Sequence, residues 1–370
     1  MNTDLLQMTD RPRLLIVGSD MGEQVRERPR PLGESASRVS GTQYSNTAAM
    51  DPLSDVLRAV RLNGAHFYHV EAGGPWSVLT VPAKELVPRI LPHAEHLISY
   101  HILLNGTCWG GPLGEQIELH AGDVIVFPHG DSHLMSSTKD YVDRSGSNGS
   151  EASRFLSNVY LGPNDVARNT ELVCGFLGCD SRPFNPLIAA LPRVIVIPGA
   201  AGGFLSQFPE QVVAESRTGR VGSETMLTRM AELMFIEVLR RYVETLPPQE
   251  AGWLGALRDN VVGPALSRLH EEPTRSWTLA ELAKEIASSR TVLVERFSSL
   301  VGVPPMLYLT RWRLQLAAEQ LARGSSKVAA IGAQVGYESE AAFSRAFKRE
   351  TGLSPAAWRR ARQTEFAVAN

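Results

Sequence analysis

Three cysteines in 370 residues are too few for a disulfide-stapled secreted scaffold, and the odd number suits a reducing compartment. No uninterrupted apolar stretch approaches the roughly 18 residues that a membrane span requires. The apolar run near the start, Leu14 to Val17, is too short for the apolar region of a secretory signal. These absences predict a cytoplasmic chain without a membrane partner. Neither sign of charge dominates, since 37 Lys and Arg stand against 39 Asp and Glu. The balance hides an asymmetry: residues 264 to 370 carry a net of +5 and the remainder a net of −7. The basic end is the part suited to phosphate. The length and the hydrophobic fraction of 43% predict about two globular domains.

Residues 1 to 49 are rich in Arg, Ser, Gly, Pro and Thr and lack periodicity, so a disordered extension is expected, with Met50 as the natural start. Asp51 as N-cap and Pro52 at the first helical position then open a helix running toward Leu62. From His66 to Ile197, short apolar runs alternate with Gly, Pro, Asn and Asp, as in Trp76 to Val81, Leu97 to Leu104, Asp123 to Phe127 and Val194 to Ile197. That pattern predicts strands, with a mobile loop at Lys139 to Ser153, inside a β domain spanning 50 to 222. Residues 223 to 258 read as a helical region. Its long helix, Ser223 to Leu246, places Leu227, Met230, Ala231, Met234 and Val238 at helical spacing. Met226, Leu233, Phe235, Ile236 and Leu239 fill much of its remaining circumference. Such a helix is expected to be buried nearly all round, either on the β domain or in a homodimer interface. Pro247-Pro248 ends it, and a short helix follows around Trp253 to Leu257.

Residues 259 to 364 contain an internal repeat at an offset of about 50, with 365 to 370 as a tail. Leu279, Leu282, Ala283 and Ile286 sit at i, i+3, i+4 and i+7, and Val328, Ile331, Gly332 and Val335 repeat that spacing. Small Ala283 and Gly332 mark where two helices cross closely. Ser289 and Ser339 then offer N-caps to second helices with core positions Leu293/Phe297 and Phe343/Phe347. The result is two helix-turn-helix units, about 279 to 300 and 328 to 351, joined by a helix from Met306 to Arg323. At 1.5 Å per residue that strut is roughly 27 Å long, enough to set two reading helices about one turn of B-DNA apart.

The stretch Val262 to Arg362, with Gly302-Val303-Pro304-Pro305 and Gly352-Leu353-Ser354-Pro355 closing each unit, resembles the AraC/XylS-type transcriptional regulators. Ser288 and Asn260 depart from the family's usual pattern. The resemblance implies an α+β chain of two domains, no enzyme activity, double-stranded DNA as partner, and activation through RNA polymerase at the nucleoid. It places base reading on Arg290, Thr291, Val294 and Glu295 in the first unit and on Glu340, Ala341, Ser344 and Arg345 in the second. Arg290 and Arg345 suit bidentate contact to guanine, and Glu295 or Glu340 suits cytosine N4. Arg296, Lys348 and Arg349 are expected on phosphates.

Residues Gly122 to His133 resemble the second cupin motif, and the likeness to a cupin-type sensor domain extends from Asp51 to Val243. No cofactor is required by it, but a divalent metal in the barrel is one reading, with His93, His96, His101 and His133 as candidate ligands. The glutamate of the first cupin motif is replaced by Ser99, which argues against the alternative of a metal-dependent cupin enzyme carrying a DNA-binding domain. Ser99, His101 and Leu103 share one strand face, so His101 and His133 are expected to meet inside the barrel, as a metal pair or as hydrogen-bonded imidazoles. Cys174 and Cys179 read either as buried structural thiols or as an oxidant-sensing pair able to form a disulfide or sulfenic acid. The effector, small molecule, metal or oxidant, stays open.

Overall fold

The computed structural model of the chain describes residues 51–60, 62–92, 94–139, 156–163, 165–180, 183–199, 203–218, 220–247 and 252–368. The expected extension, His93 and most of the expected loop lie outside these residues. Helix α1, Pro52–Val60, begins as its sequence dictates: the Asp51 carboxylate accepts from Leu53 N at 3.1 Å and from Ser54 Oγ at 2.7 Å. It stops at Val60 because Leu62 opens strand β1, Leu62–Ala72.

Strand β1 belongs to the larger of two sheets, with β3 (His96–Asn105), β6 (Val124–Phe127), β8 (Leu156–Leu161), β9 (Thr170–Cys179) and β10 (Ile195–Ile197), in the order β10-β6-β3-β9-β1-β8. The smaller sheet orders β2 (Ser77–Thr80), β4 (Thr107–Gly111), β5 (Ile117–His120) and β7 (His133–Ser136) as β2-β7-β4-β5. Alternation splits the larger sheet's side chains between two cores. Leu103, Ile125, Phe127 and Leu172 meet Cys108, Leu119 and Met135 of the smaller sheet to fill a barrel. Phe67, Tyr100, Ile102, Val126 and Val173 point the other way, into a core shared with helices.

Two helices interrupt the segment expected to be all strand: α2 (Ala83–Ile90) and α3 (Pro186–Ala190). Helix α4 (Phe204–Thr218) pairs with the anticipated α5 (Ser223–Thr245). Within the single chain, α5 is buried on one side and not all round. Leu227, Ala231, Met234, Phe235, Val238 and Leu239 are buried, whereas Met226 and Leu233 are each 53% exposed. Helix α4 and the sheet cover one side of α5, and the opposite side keeps its apolar residues in the open.

After the short α6 (Trp253–Ala256) come α7 (Val262–Glu271), the first unit α8 (Leu279–Glu285) and α9 (Arg290–Val301), the strut α10 (Pro305–Arg323), the second unit α11 (Val328–Gln334) and α12 (Glu340–Thr351), and α13 (Pro355–Val368). Ser289 Oγ accepts from Val292 N and Ser339 Oγ from Ala342 N, both at 3.2 Å. Gly302 and Gly352 end the two second helices at φ +80° and +78°, a left-handed cap that strains any residue with a Cβ. A Cβ on Gly332 would sit 3.1 Å from the Phe343 ring, which explains the small residue at that crossing.

The two units differ in what they pack on. Leu282, Ala283, Leu293 and Phe297 of the first unit join one continuous core with Val56, Ala59, Leu187 and Trp253. Ile331, Val335, Phe343 and Phe347 of the second unit close a separate core with Leu314, Ala318, Leu321 and Trp358.

Candidate nucleic-acid interface and barrel interior

Helix α9 presents Arg290, Thr291 and Glu295 to solvent with Val294 half-buried, and α12 presents Glu340, Ala341, Arg345 and Lys348 with Ser344 half-buried. Helix α9 is anchored by Leu293 and Phe297 and α12 by Phe343, Ala346 and Phe347, so the outward faces are set by packing and not by the polar residues themselves. Among the described residues, Arg290, Arg345 and Lys348 take part in no ion pair. Their cations are available to a polyanion. Arg296, expected on a phosphate, differs: its Nε donates to Asp259 Oδ2 at 2.7 Å.

Inside the barrel, sheet register sets His101 of β3 opposite Cys174 of β9, which lies opposite Tyr68 of β1. The next row holds Ser99, Phe176 and His66. His101 and His133 meet as expected, Nε2 to Nε2 at 2.8 Å, with the His133 ring stacked on Phe127 at 3.7 Å between centroids. The hydrogen bonds determine the tautomers. His133 Nδ1 lies 2.8 Å from the Asp131 carbonyl, which only accepts, so the proton is on Nδ1 and His133 Nε2 is a lone pair. His101 therefore donates from Nε2, which leaves its Nδ1 as a buried acceptor without a partner. Burial, reinforced by its imidazole neighbour, holds the His101 pKa well below the usual range. Burial likewise pushes His133 down to about 4, so both rings are neutral near pH 7.

His96 does not join them; its Nε2 contacts the Pro128 carbonyl at 2.6 Å. Among the described residues, no three His, Cys, Asp or Glu side chains converge on a point where a metal could sit. The donor set of a metal-dependent cupin enzyme is not assembled by these residues.

Of the two readings of Cys174 and Cys179, the geometry is that of separate buried thiols and not of a disulfide-forming pair. Both residues lie on β9 five positions apart, which separates them by about 17 Å at the strand rise and turns them to opposite faces of the sheet. A disulfide requires Cα atoms within about 7 Å. Cys179 is buried in the helix-side core, and burial raises both thiols above their ordinary range, away from the reactive thiolate. The thiol that does neighbour Cys174 is Cys108, itself pushed up to about 12 by burial and by Asp123. His66, Tyr68 and Cys108 were not singled out by sequence reasoning. Their even spacing along strands was visible, but only pairing shows which face is interior.

Among the described residues, the polar connections between the β domain and the helical end include three networks. Gln315 of the strut donates to the Ala59 carbonyl and accepts from Phe184 N, both at 3.0 Å. Tyr308 OH accepts from Trp253 Nε1 at 2.9 Å and donates to His270 Nε2 at 2.8 Å, while His270 Nδ1 lies 3.5 Å from Asp55 Oδ2 of α1. Glu95, just ahead of β3, pairs with Arg362 of α13, both nearly buried.

Comparison with known proteins agrees with this geometry. Residues 51–244 match a cupin family and residues 282–361 a helix-turn-helix domain family. The chain is 32% identical over 320 residues to an AraC-like transcription regulator of Streptomyces lividans, covering 84% of this chain and 98% of that one. It is 27% identical over 319 residues to the HTH-type transcriptional regulator AlkR of Acinetobacter baylyi, covering 84% and 99%. Among solved structures, fatty-acid-bound ToxT of Vibrio cholerae aligns over 81% of this chain and 96% of that chain, at 12% identity and a TM-score of 0.31. With a cupin domain ahead of paired helix-turn-helix units, the chain belongs to the AraC-type transcription regulators.

Proposed function

We propose that this regulator is a sequence-specific activator that reads two successive major grooves with α9 and α12, acts as a homodimer, and takes its input in the cupin barrel. The observation that carries the reading is the pair of outward helix faces, each with an unpaired arginine, at the two ends of a 19-residue strut. Selection of duplexes from a random library by the full chain, followed by anisotropy at fixed salt, tests it. Arg345→Ala should cost about 1–3 kcal/mol at one base position, whereas Lys348→Ala should weaken all sequences alike and reduce the salt slope by about 1. A uniform loss from Arg345→Ala across altered duplexes would refute the readout role.

The exposed Met226 and Leu233 on α5 support dimerisation through that helix. Leu233→Glu is then expected to give a monomer in sedimentation, and an unchanged species would remove α5 from the interface. For the input, the unpartnered His101 Nδ1 suits a small molecule bearing a hydrogen-bond donor, while the lack of three converging donor side chains among the described residues and the raised thiols count against a metal or a thiol oxidant. A ligand that shifts DNA affinity equally in the wild-type and His101→Leu chains would place the input elsewhere. Activation implies contact with RNA polymerase, and transcription in vitro from a selected duplex distinguishes activation from repression.

A further inference from the structure

Each DNA-reading helix is tied by an ion pair to a residue ahead of its unit, Asp259 in the turn before α7 and Arg311 on the strut, and the two ties have opposite polarity. In the first unit the reading helix supplies the cation: Arg296 Nε donates to Asp259 Oδ2 at 2.7 Å. In the second it supplies the anion: Glu350 Oε1 accepts from Arg311 Nε of the strut at 3.0 Å.

The first tie is the more informative because Asp259 is already occupied. Its other oxygen, Oδ1, accepts from Val261 N and Val262 N, both at 2.8 Å, and so caps the start of α7. Asp259 is 8% exposed. Burial alone would raise its carboxyl, yet the N–H groups of Val262 and Val261 and the Arg296 guanidinium outweigh it and hold the pKa below the usual range. Its backbone N in turn donates to the Ala256 carbonyl of α6 at 3.2 Å, and α6 packs on α3 of the cupin domain.

Helical geometry places Arg296 away from DNA. At about 100° per residue, Arg290, Val294, Thr291 and Glu295 spread over one face of α9, and Arg296 lies about 170° from the centre of that face. It flanks buried Leu293 and Phe297 on the side toward α7.

We infer that Arg296 with Asp259 is a positioning pair that sets the tilt of the first reading helix against α7, and that Arg296 is not a phosphate contact. Arg311 with Glu350 is its counterpart in the second unit. A carboxylate that caps α7 and holds α9 fixes two helices relative to each other, so base contacts from α9 are preorganised. This inference rests on the DNA-reading function proposed above.

The test uses the full chain and the duplex it selects from a random library, with affinity measured by anisotropy over a salt series. Arg296→Gln and Asp259→Asn are the variants; asparagine retains the oxygen that caps α7 while removing the charge. Each should lower affinity about tenfold, roughly the value of one charged hydrogen bond. The double variant should be no worse than either single one, because both remove the same tie. The salt slope should stay unchanged. Discrimination against base changes should fall only in the half-site read by α9, a result that general loss of folding would not produce. A slope reduced by about 0.9 in Arg296→Gln, with Asp259→Asn harmless, would show a phosphate contact and overturn the inference. Lower thermal stability with discrimination intact in both half-sites would overturn it too. If the wild-type chain enriched no sequence, the DNA-reading function itself would fall, and this inference with it.

Discussion

Glu95→Ala is expected to destabilise the protein by about 3–5 kcal/mol, because it breaks an ion pair between two nearly buried side chains. The Glu95 side chain is 6% exposed and that of Arg362 is 9% exposed, so solvent screens this pair far less than a surface ion pair. Arg362 also lies over the Trp358 ring at 4.8 Å, and Trp358 belongs to the core of the second unit. Cutting this pair therefore loosens α13 from the cupin domain and weakens the seat of α12. The position in the chain matters for function as well. Glu95 directly precedes β3, and His101 is six residues further along. On the proposed input in the barrel, a ligand that shifts β3 is expected to reach the second helix-turn-helix unit through this pair. Denaturant unfolding of wild-type and variant chains measures the cost. A loss under about 1 kcal/mol would mean that the pair behaves like an exposed ion pair and carries no coupling.

Phe343→Ala should cost about 3–5 kcal/mol and remove specific DNA binding. Phe343 is fully buried, faces Gly332 across the helix crossing, and stacks edgewise on Phe347 at 5.6 Å. Truncating it opens a cavity at the junction that aims α12. The second unit owns a core separate from that of the first unit, so its loss should stay local. Hydrogen exchange is expected to show α11 and α12 unprotected while the barrel and α9 keep their protection. The same change at Phe297, whose core is continuous with the cupin domain, should instead lower the stability of the whole folded body. Uniform loss of protection in Phe343→Ala would contradict the division into two cores.

Much of this architecture is readable along the chain because it repeats at helical or strand period. The two helix-turn-helix units were evident from small residues at Ala283 and Gly332, caps at Ser289 and Ser339, and terminating glycines at Gly302 and Gly352. Each of these is a local requirement of backbone geometry or of two helices crossing, so it leaves a residue type at a fixed spacing. The meeting of His101 and His133 was readable for a similar reason: strand alternation put one on an interior face, and a recognisable turn carried the other.

What followed only from folding is who partners whom. Cys174 and Cys179 look like a pair in the chain, but strand β9 turns them to opposite faces and associates Cys174 with Cys108 and His101. Helix α5 has apolar residues all round, and only its docking shows which side stays exposed. Arg296 resembles any cation on a reading helix until α7 brings Asp259 against it, and nothing near Glu95 anticipates Arg362, 267 residues away. Local geometry writes itself into spacing because neighbours along the chain share one backbone. Long-range pairs depend on register and docking angle, which many sequences satisfy equally well and which are settled only when the cores close.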